Sequence, residues 1–279
     1  MKGERTDPES IFDREIDLLL EAIYRGFHYD FRGYSRASLT RRISAALGDF
    51  GCESVSSLQG LLLQDPNAFP RLLRFLTVPV SHMFRDPVFF RSFRERVVPE
   101  LATYPSIRLW VAGCSTGEEV YSLAIVLHEE GLLQKSLIYA TDIDAASLQR
   151  AETGLYPLDR IPMFTENYRA SGGIRPFTDY YTSAYGSAIV GRSLRANIVF
   201  ADHSLATDGV FAEVHVVSCR NVLIYFAREL QLRAVTLFRD ALCRRGFLGL
   251  GSGETLRFTP LAESFQPLVE PDARWYRRW

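Results

Sequence analysis

Glu118 and Glu119 stand directly behind a glycine turn, in the stretch RLWVAGCSTGEEVYSLA at residues 108–124. A glycine turn that follows a strand usually cradles phosphates, because backbone N–H groups at a helix N-terminus face an anion. Two carboxylates there would repel one. The turn also lacks the GxGxxG and GxxxxGKS/T spacings of dinucleotide and nucleotide-phosphate sites. Gly113 and Gly117 still permit close backbone approach. The pattern therefore calls for a ligand that brings a cation or hydrogen-bond donors to a negative entrance. Asp142 closes the next apolar run, LIYATDI, about 25 residues after Gly117. An acid roughly 20 residues past such a turn grips ribose hydroxyls in Rossmann-like folds. A nucleoside with an ammonium group and no phosphate meets all three demands, and S-adenosylmethionine is that molecule. The competing reading makes Glu118 and Glu119 plain helix N-terminal acids favoured by the macrodipole.

The elements that must position these residues are legible as periodic patterns. From residue 107 on, IRLWVAG, LIYATDI, NIVFAD, VHVVSC and FLGLGS are short, β-branched apolar runs, most of them separated by helical stretches. Buried runs alternating with helices predict a parallel sheet covered on both faces. Ligands of such sheets lie beyond the carboxyl ends of the strands. The turns GCSTGEE, ATDID and SCRNVLIYF fall there. The interval of about 160–196, rich in Tyr, Ser, Gly and Thr, breaks the rhythm and reads as a small antiparallel β insertion. The last element, ARWYRRW, reads as a closing strand alternating aromatic and basic residues.

Ahead of the sheet, residues 11 to about 76 read as helical throughout. IFDREIDLLLEAIYRGF sets Ile11, Ile16, Leu19, Leu20 and Ile23 at helical spacing, and SLTRRISAALGDFG stops at Gly48 or Gly51. Two more helices are expected in SVSSLQGLLLQD and NAFPRLLRFL, then a linker TVPVSHMFRDP and a helix through FFRSFRERVVPEL. The fold class is α/β, in three parts: a helical domain at 1–78, a linker with its helix at 79–105, and an α/β domain at 106–279 that holds the insertion.

Composition narrows the setting. A chain of 279 residues, 47% hydrophobic, has ample core material, and a net charge of -1 argues against nucleic acid as partner. The four cysteines are far apart, without CxxC or CxxH spacing, which fits a reduced cytosol rather than a disulfide framework or a zinc site. The amino-terminal MKGERTDPES is charged, and no apolar run approaches the roughly 20 residues that span a bilayer. A soluble cytoplasmic monomer is expected. His28, His82, His128 and His203 form no pair at metal-ligand spacing, so no metal is expected.

VSHMFRDP, LWVAGCSTGEEVYSLA, YATDID, CRNVLIYF and GSGETLRF follow one another in an order and spacing that resembles the CheR family, the chemotaxis-type protein-glutamate O-methyltransferases. The resemblance runs from about residue 35 to 277. It implies a helical N-terminal domain followed by a Rossmann-like, S-adenosylmethionine-binding class I methyltransferase domain with an inserted β-subdomain; the product would be S-adenosylhomocysteine. Matched position by position, it implies Ser81 and Arg85 at the cofactor and the substrate carboxylate, and Gly113 in the cofactor turn. Glu119 is implied at the methionine ammonium and Asp142 at the ribose. Ser204 and Leu205 are implied at the adenine side, Arg220 and Asn221 at the fourth strand end, and Tyr225 beside the transferring methyl. Without that context, Arg85 reads as a surface ion pair with Asp86 and Tyr225 as a core aromatic.

The partner implied is a methyl-accepting chemoreceptor or a similar acidic helical bundle, faced by Arg36, Arg41 and Arg42 of the second helix. These three do not share one narrow helical face, so a plain solvated surface is the alternative. The chain departs from the family pattern at Pro79, Ser81, Ser204 and His215, and in GSGE where GHSE is common. Those departures motivate a second expectation, a degenerate relative that acts as an interaction or cofactor-sensing module. His215 itself, alone at a strand start, is expected to be structural.

Overall fold

The computed structural model describes residues 10–257, 259–268 and 274–279; the charged stretch before Ser10 and Ala273 of the closing segment lie outside the described residues. The chain forms two compact units, the first comprising residues up to Val78 together with Tyr225–Leu230. Its helices are α1 (Ile11–Phe27), α2 (Arg36–Phe50), α3 (Val55–Gln64) and α4 (Ala68–Thr77). Helix α1 begins where the Ser10 hydroxyl accepts the Asp13 N–H at 3.1 Å, and it buries Ile16, Leu19, Leu20 and Ile23. Ile11, expected on that stripe, is 80% exposed. Five positions before Ile16, it points about 140° away from the stripe. Helix α2 runs to Gly51, whose φ of 67° returns its N–H to the carbonyls of Leu47 and Gly48. Residues 225–230 complete this unit. The Ser35 N–H donates to the Tyr225 carbonyl at 2.8 Å and the Ala227 N–H to the Gly33 carbonyl at 2.9 Å.

The second unit holds the remaining chain. It opens with α5 (Pro87–Ser92), which runs through one π turn at Phe93–Val97 into α6 (Val98–Leu101). There follow β1 (Ile107–Ala112), α7 (Glu118–Glu129), β2 (Ser136–Asp142), α8 (Ala145–Thr153), β3 (Leu155–Pro157), α9 (Ile161–Ala170), β4 (Tyr181–Ala184), β5 (Ser187–Val190) and α10 (Arg192–Arg195). The chain ends with β6 (Ile198–Asp202), β7 (Val214–Cys219), α11 (Arg228–Ala241), β8 (Leu242–Leu250), β9 (Phe265–Pro267) and β10 (Trp275–Arg278).

Seven strands form the main sheet in the order β6-β2-β1-β7-β8-β10-β9. The first five are parallel, while β10 is antiparallel to both β8 and β9. The strand order reverses at β1, and that reversal leaves a crevice at the carboxyl ends. The expected runs become β1, β2, β6, β7 and β8. Two details differ. The inserted sheet has the order β3-β5-β4 and starts at Leu155, earlier than expected, with helix α9 inside the interval read as β. Ile161, Phe164 and Tyr168 are the buried helical stripe that the Tyr-rich composition masked. In β10, Trp275 and Tyr276 are both buried rather than alternating with exposed positions. Trp275 stacks on Phe89 at 4.5 Å and on Phe93 at 5.3 Å. No helix among the described residues is long and apolar enough to cross a membrane.

Candidate active site at the carboxyl ends of the strands

The turn after β1 is held by backbone geometry. Gly113, at φ 73°, donates its N–H to the Thr141 carbonyl at 2.8 Å, and a Cβ there would lie 2.5 Å from Cγ2 of Val222. No side chain fits. Ser115 adopts φ 51°, in the left-handed region, and donates its N–H to Oδ2 of Asp142 at 2.8 Å. Oδ1 of Asp142 accepts the Asp144 N–H at 3.0 Å. Burial pushes the Asp142 carboxyl above its ordinary range, against those two N–H bonds. Asp202 lies opposite Asp142 in the β2–β6 register, and burial also raises its carboxyl. The Ser115 hydroxyl is buried with no hydrogen-bond partner among the described residues. A buried hydroxyl without a partner, next to a carboxylate that keeps free lone pairs, fits a polyhydroxylated ligand such as an adenosyl group.

The two glutamates do not make the entrance negative, as their sequence position suggested. Each has its own arginine. Glu118, fully buried, accepts the Thr116 hydroxyl at 2.7 Å and pairs with Arg160 at 2.8 Å. Glu119 accepts the Ser218 hydroxyl at 2.6 Å and pairs with Arg220 at 2.9 Å. An ammonium reaching Glu119 would meet a fixed acceptor with spare lone pairs rather than a net negative field. Arg220 itself is only 1% exposed in its side chain; it also binds Asp86 and the Arg85 carbonyl, each at 2.8 Å, and lies over the Phe89 ring at 4.1 Å. Expected at the cofactor, it pairs with Glu119, the residue expected at the ammonium.

Arg85 sits between Phe84 and Asp86, both in the left-handed region at φ 53° and 57°. Non-glycine residues there cost about 1–3 kcal/mol each and persist where surrounding contacts impose them. Here the Phe84 N–H donates to the Ser122 hydroxyl at 2.8 Å and the Phe84 ring is fully buried. Asp86 pairs with Arg220, so the expected Arg85–Asp86 ion pair does not form. Arg85 is half-buried and makes no ion pair among the described residues. The Ser81 carbonyl accepts from Arg160, and the Met83 carbonyl from Asn167 at 3.1 Å.

At the end of β7, Asn221 is again left-handed, at φ 60°. Glu254 secures it. This buried carboxylate accepts the N–H groups of Gly251 (2.6 Å), Val222 (3.0 Å), Asn221 (3.1 Å) and Ile224 (3.4 Å), while burial raises its pKa. GSGETLRF belongs to the motifs of the family resemblance and GSGE to its departures, but no spacing in the sequence assigns Glu254 this role. At the end of β6, the Ser204 N–H binds Asp208 at 2.9 Å, the Ser204 hydroxyl accepts from the Ala206 N–H at 3.3 Å, and Leu205 is buried. Serine thus closes this turn by local hydrogen bonds. His215 accepts the Arg108 N–H on Nδ1 at 3.0 Å and packs edge-on to Tyr104. Burial lowers its pKa, so it is a neutral structural imidazole. Among the described residues no group of three His, Cys, Asp or Glu could hold a metal.

Tyr225 and the three arginines of α2 belong to the first unit. Arg36 pairs with Asp13 at 3.4 Å and Asp17 at 2.7 Å. Arg42 is buried, donates to the Leu76 carbonyl and lies 4.0 Å over the Tyr225 ring; burial lowers its pKa. The expectation of three surface arginines is corrected at Arg42, which is buried; Arg36 is partly exposed and Arg41 exposed. The amphipathic pattern of α2 turns Arg42 inward beside Leu39, Ile43 and Ala46.

A sheet of this order, with a glycine turn after β1 and an acid closing β2, is that of a Rossmann-like methyltransferase. The model of the CheR methyltransferase SAM-binding domain matches residues 79–269, and that of the CheR methyltransferase all-alpha domain matches residues 14–77. The chain belongs to the CheR methyltransferase family, and its cofactor is S-adenosylmethionine. It is 58% identical over 259 residues to a Pseudomonas putida protein provisionally named methyltransferase Cher3, covering 93% of this chain and 95% of that one. To the chemotaxis protein methyltransferase of Listeria innocua it is 29% identical over 248 residues, covering 88% and 92%. Among solved structures it resembles SAM-bound CalS10, an amino pentose methyltransferase from Micromonospora echinaspora. That match has a TM-score of 0.34 and 14% identity, and it covers 58% of this chain and 50% of that one.

Proposed function

We propose that this methyltransferase esterifies glutamate side chains of a chemoreceptor, or of a related cytoplasmic signalling protein with an acidic helical bundle. The observation that carries the reading is the Arg85 guanidinium, which has no ion pair among the described residues while its neighbour Asp86 is taken by Arg220. A guanidinium fixes a carboxylate plane through two parallel N–H···O bonds. Asp142 and the Ser115 hydroxyl would hold the ribose, Glu119 the ammonium, and Leu205 with Ser204 the adenine side. S-adenosylmethionine, when bound, supplies an electrophilic methyl group.

A glutamate carboxylate is already ionised at neutral pH, so no residue has to remove a proton. Orientation dominates, with reacting atoms held about 3–3.5 Å apart. Arg85 aligns the acceptor carboxylate, and Tyr225, whose phenol follows directly on the loop after β7 in the chain, is the second catalytic candidate. Arg41 is the arginine of α2 whose charge supports attraction to an acidic partner, an attraction that weakens with salt.

The test is incubation with receptor cytoplasmic fragments and methyl-labelled donor. Label that is released as volatile methanol by mild base identifies a carboxyl methyl ester. Arg85→Ala should lower kcat/KM about 100-fold with an unchanged melting temperature, since a lost charged hydrogen bond costs about 1.5–3 kcal/mol. An unlabelled receptor, with the cofactor demonstrably bound, would overturn the substrate assignment.

A further inference from the structure

We infer that Arg160 is a positioning residue for the methyl donor, tying the inserted β-subdomain to both the glycine turn and the linker that carries Arg85. The inference rests on the cofactor reading above. Arg160 ends a short helical turn between β3 and α9, 42 residues from Glu118 and 79 from Ser81 in sequence. Its Nη1 pairs with Oε1 of Glu118 at 2.8 Å, and its Nη2 donates to the Ser81 carbonyl. The guanidinium face lies 4.9 Å over the Phe164 ring.

Glu118 has a side chain with 0% exposure, and a buried carboxylate persists only with a compensating partner. Thr116 supplies a hydroxyl at 2.7 Å; Arg160 supplies the cation. Two further bonds run from the insertion to the same segments. The Tyr156 phenol donates to the Thr116 carbonyl at 2.8 Å, and Asn167 donates to the Met83 carbonyl at 3.1 Å. The subdomain thereby grips the turn on one side and the linker on the other, and Arg160 is the residue that touches both.

Without Arg160, Glu118 retains one hydroxyl donor. The carboxylate then turns toward water, and Thr116 moves with it. Glu119 is the next residue on the first turn of α7, so its acceptor oxygens shift as well. The consequence appears in the affinity for the cofactor more than in the fold, because the Arg160 side chain is 29% exposed. An arginine fork is needed for both contacts; a lysine offers one point charge.

Calorimetric titration of the full chain with S-adenosylhomocysteine tests this. Arg160→Gln should bind at least about tenfold more weakly, and Arg160→Lys should fall between it and the unmodified protein. Adding Glu118→Gln to Arg160→Gln removes the buried charge together with its partner, and should recover at least about threefold of the loss. Arg160→Gln that melts normally and binds like the unmodified protein overturns the inference. So do losses that simply multiply in the double variant. Where Arg160→Gln does not fold, the comparison of Arg160→Lys with the double variant carries the same two outcomes. If the unmodified protein fails to bind, the cofactor reading falls first and takes this inference with it.

Discussion

Nη1 of Arg220 lies 2.9 Å from Oε2 of Glu119, and Nη2 of the same guanidinium lies 2.8 Å from Oδ2 of Asp86. One cation beyond β7 thus fixes the first turn of α7 and the residue that follows Arg85. Breaking a buried pair strands its partner charge, at about 3–5 kcal/mol. Asp86 is largely exposed, which places this case at the low end. Arg220→Met should therefore lower stability by about 3 kcal/mol and weaken S-adenosylhomocysteine binding more than about tenfold. Thermal melts and calorimetry read the two effects; normal affinity in a folded Arg220→Met would show that Glu119 needs no orienting partner.

Glu254 holds four backbone N–H groups with two oxygens. Glu254→Gln keeps one acceptor oxygen and turns an amide N–H₂ toward donors. Leaving buried donors unsatisfied costs about 1–3 kcal/mol, so the denaturant midpoint should fall by an equivalent of about 2 kcal/mol. Amide exchange at Asn221 and Val222 should quicken. An unchanged midpoint and exchange rate would show that other groups hold this loop.

Burial raises the Asp142 carboxyl above its usual 3.8. A group whose folded pKa is raised binds more protons in the native state, so the stability it contributes is complete below the unfolded value. That stability is lost as pH rises through the folded value. Relative to Asp142→Asn, the unmodified protein should lose melting temperature as pH climbs from about 4 toward neutrality. The same variant should bind S-adenosylhomocysteine at least about tenfold more weakly at pH 7. A pH-independent difference in melting temperature would falsify the desolvated setting of Asp142.

His215 shifts in the opposite sense. Burial lowers its pKa from 6.5, so the neutral ring, accepting the Arg108 N–H, stabilises the fold above about 6.5. That contribution is lost as pH falls through the folded pKa. The melting-temperature advantage over His215→Phe should shrink between about pH 7.5 and 5.5, with methyl transfer unaffected at neutral pH. A variant that keeps its melting temperature but loses turnover would assign His215 to the chemistry instead.

Much of the fold could be read from local periodicity. The stripe Ile16, Leu19, Leu20 and Ile23, the stop at Gly51, and the five parallel runs depend on spacings within one element. Asp142 was found at a strand end because a turn and the next strand lie close in sequence. Helix α9 has the stripe Ile161, Phe164 and Tyr168, but it lies in a Tyr-, Ser- and Gly-rich interval whose composition points to β structure. For Glu254 and Arg160 no periodicity points to a role: apart from the nearby Gly251 N–H, the hydrogen-bond partners that define them lie about 30 to 80 residues away in the chain.

The sequence by itself determined which residue types reach the carboxyl ends of the strands: glycines for close approach, the acids Glu119 and Asp142, and an arginine before α5. Tertiary structure alone decided the pairing. Asp86 went to Arg220 and not to its neighbour Arg85, Glu118 to Arg160, and Arg42 into the interior of the first unit over Tyr225. The physical reason is that a charge chooses the counter-charge or ring within about 4 Å that shares its desolvation. That distance depends on how sheet, insertion and helices pack, and no spacing along the chain encodes it.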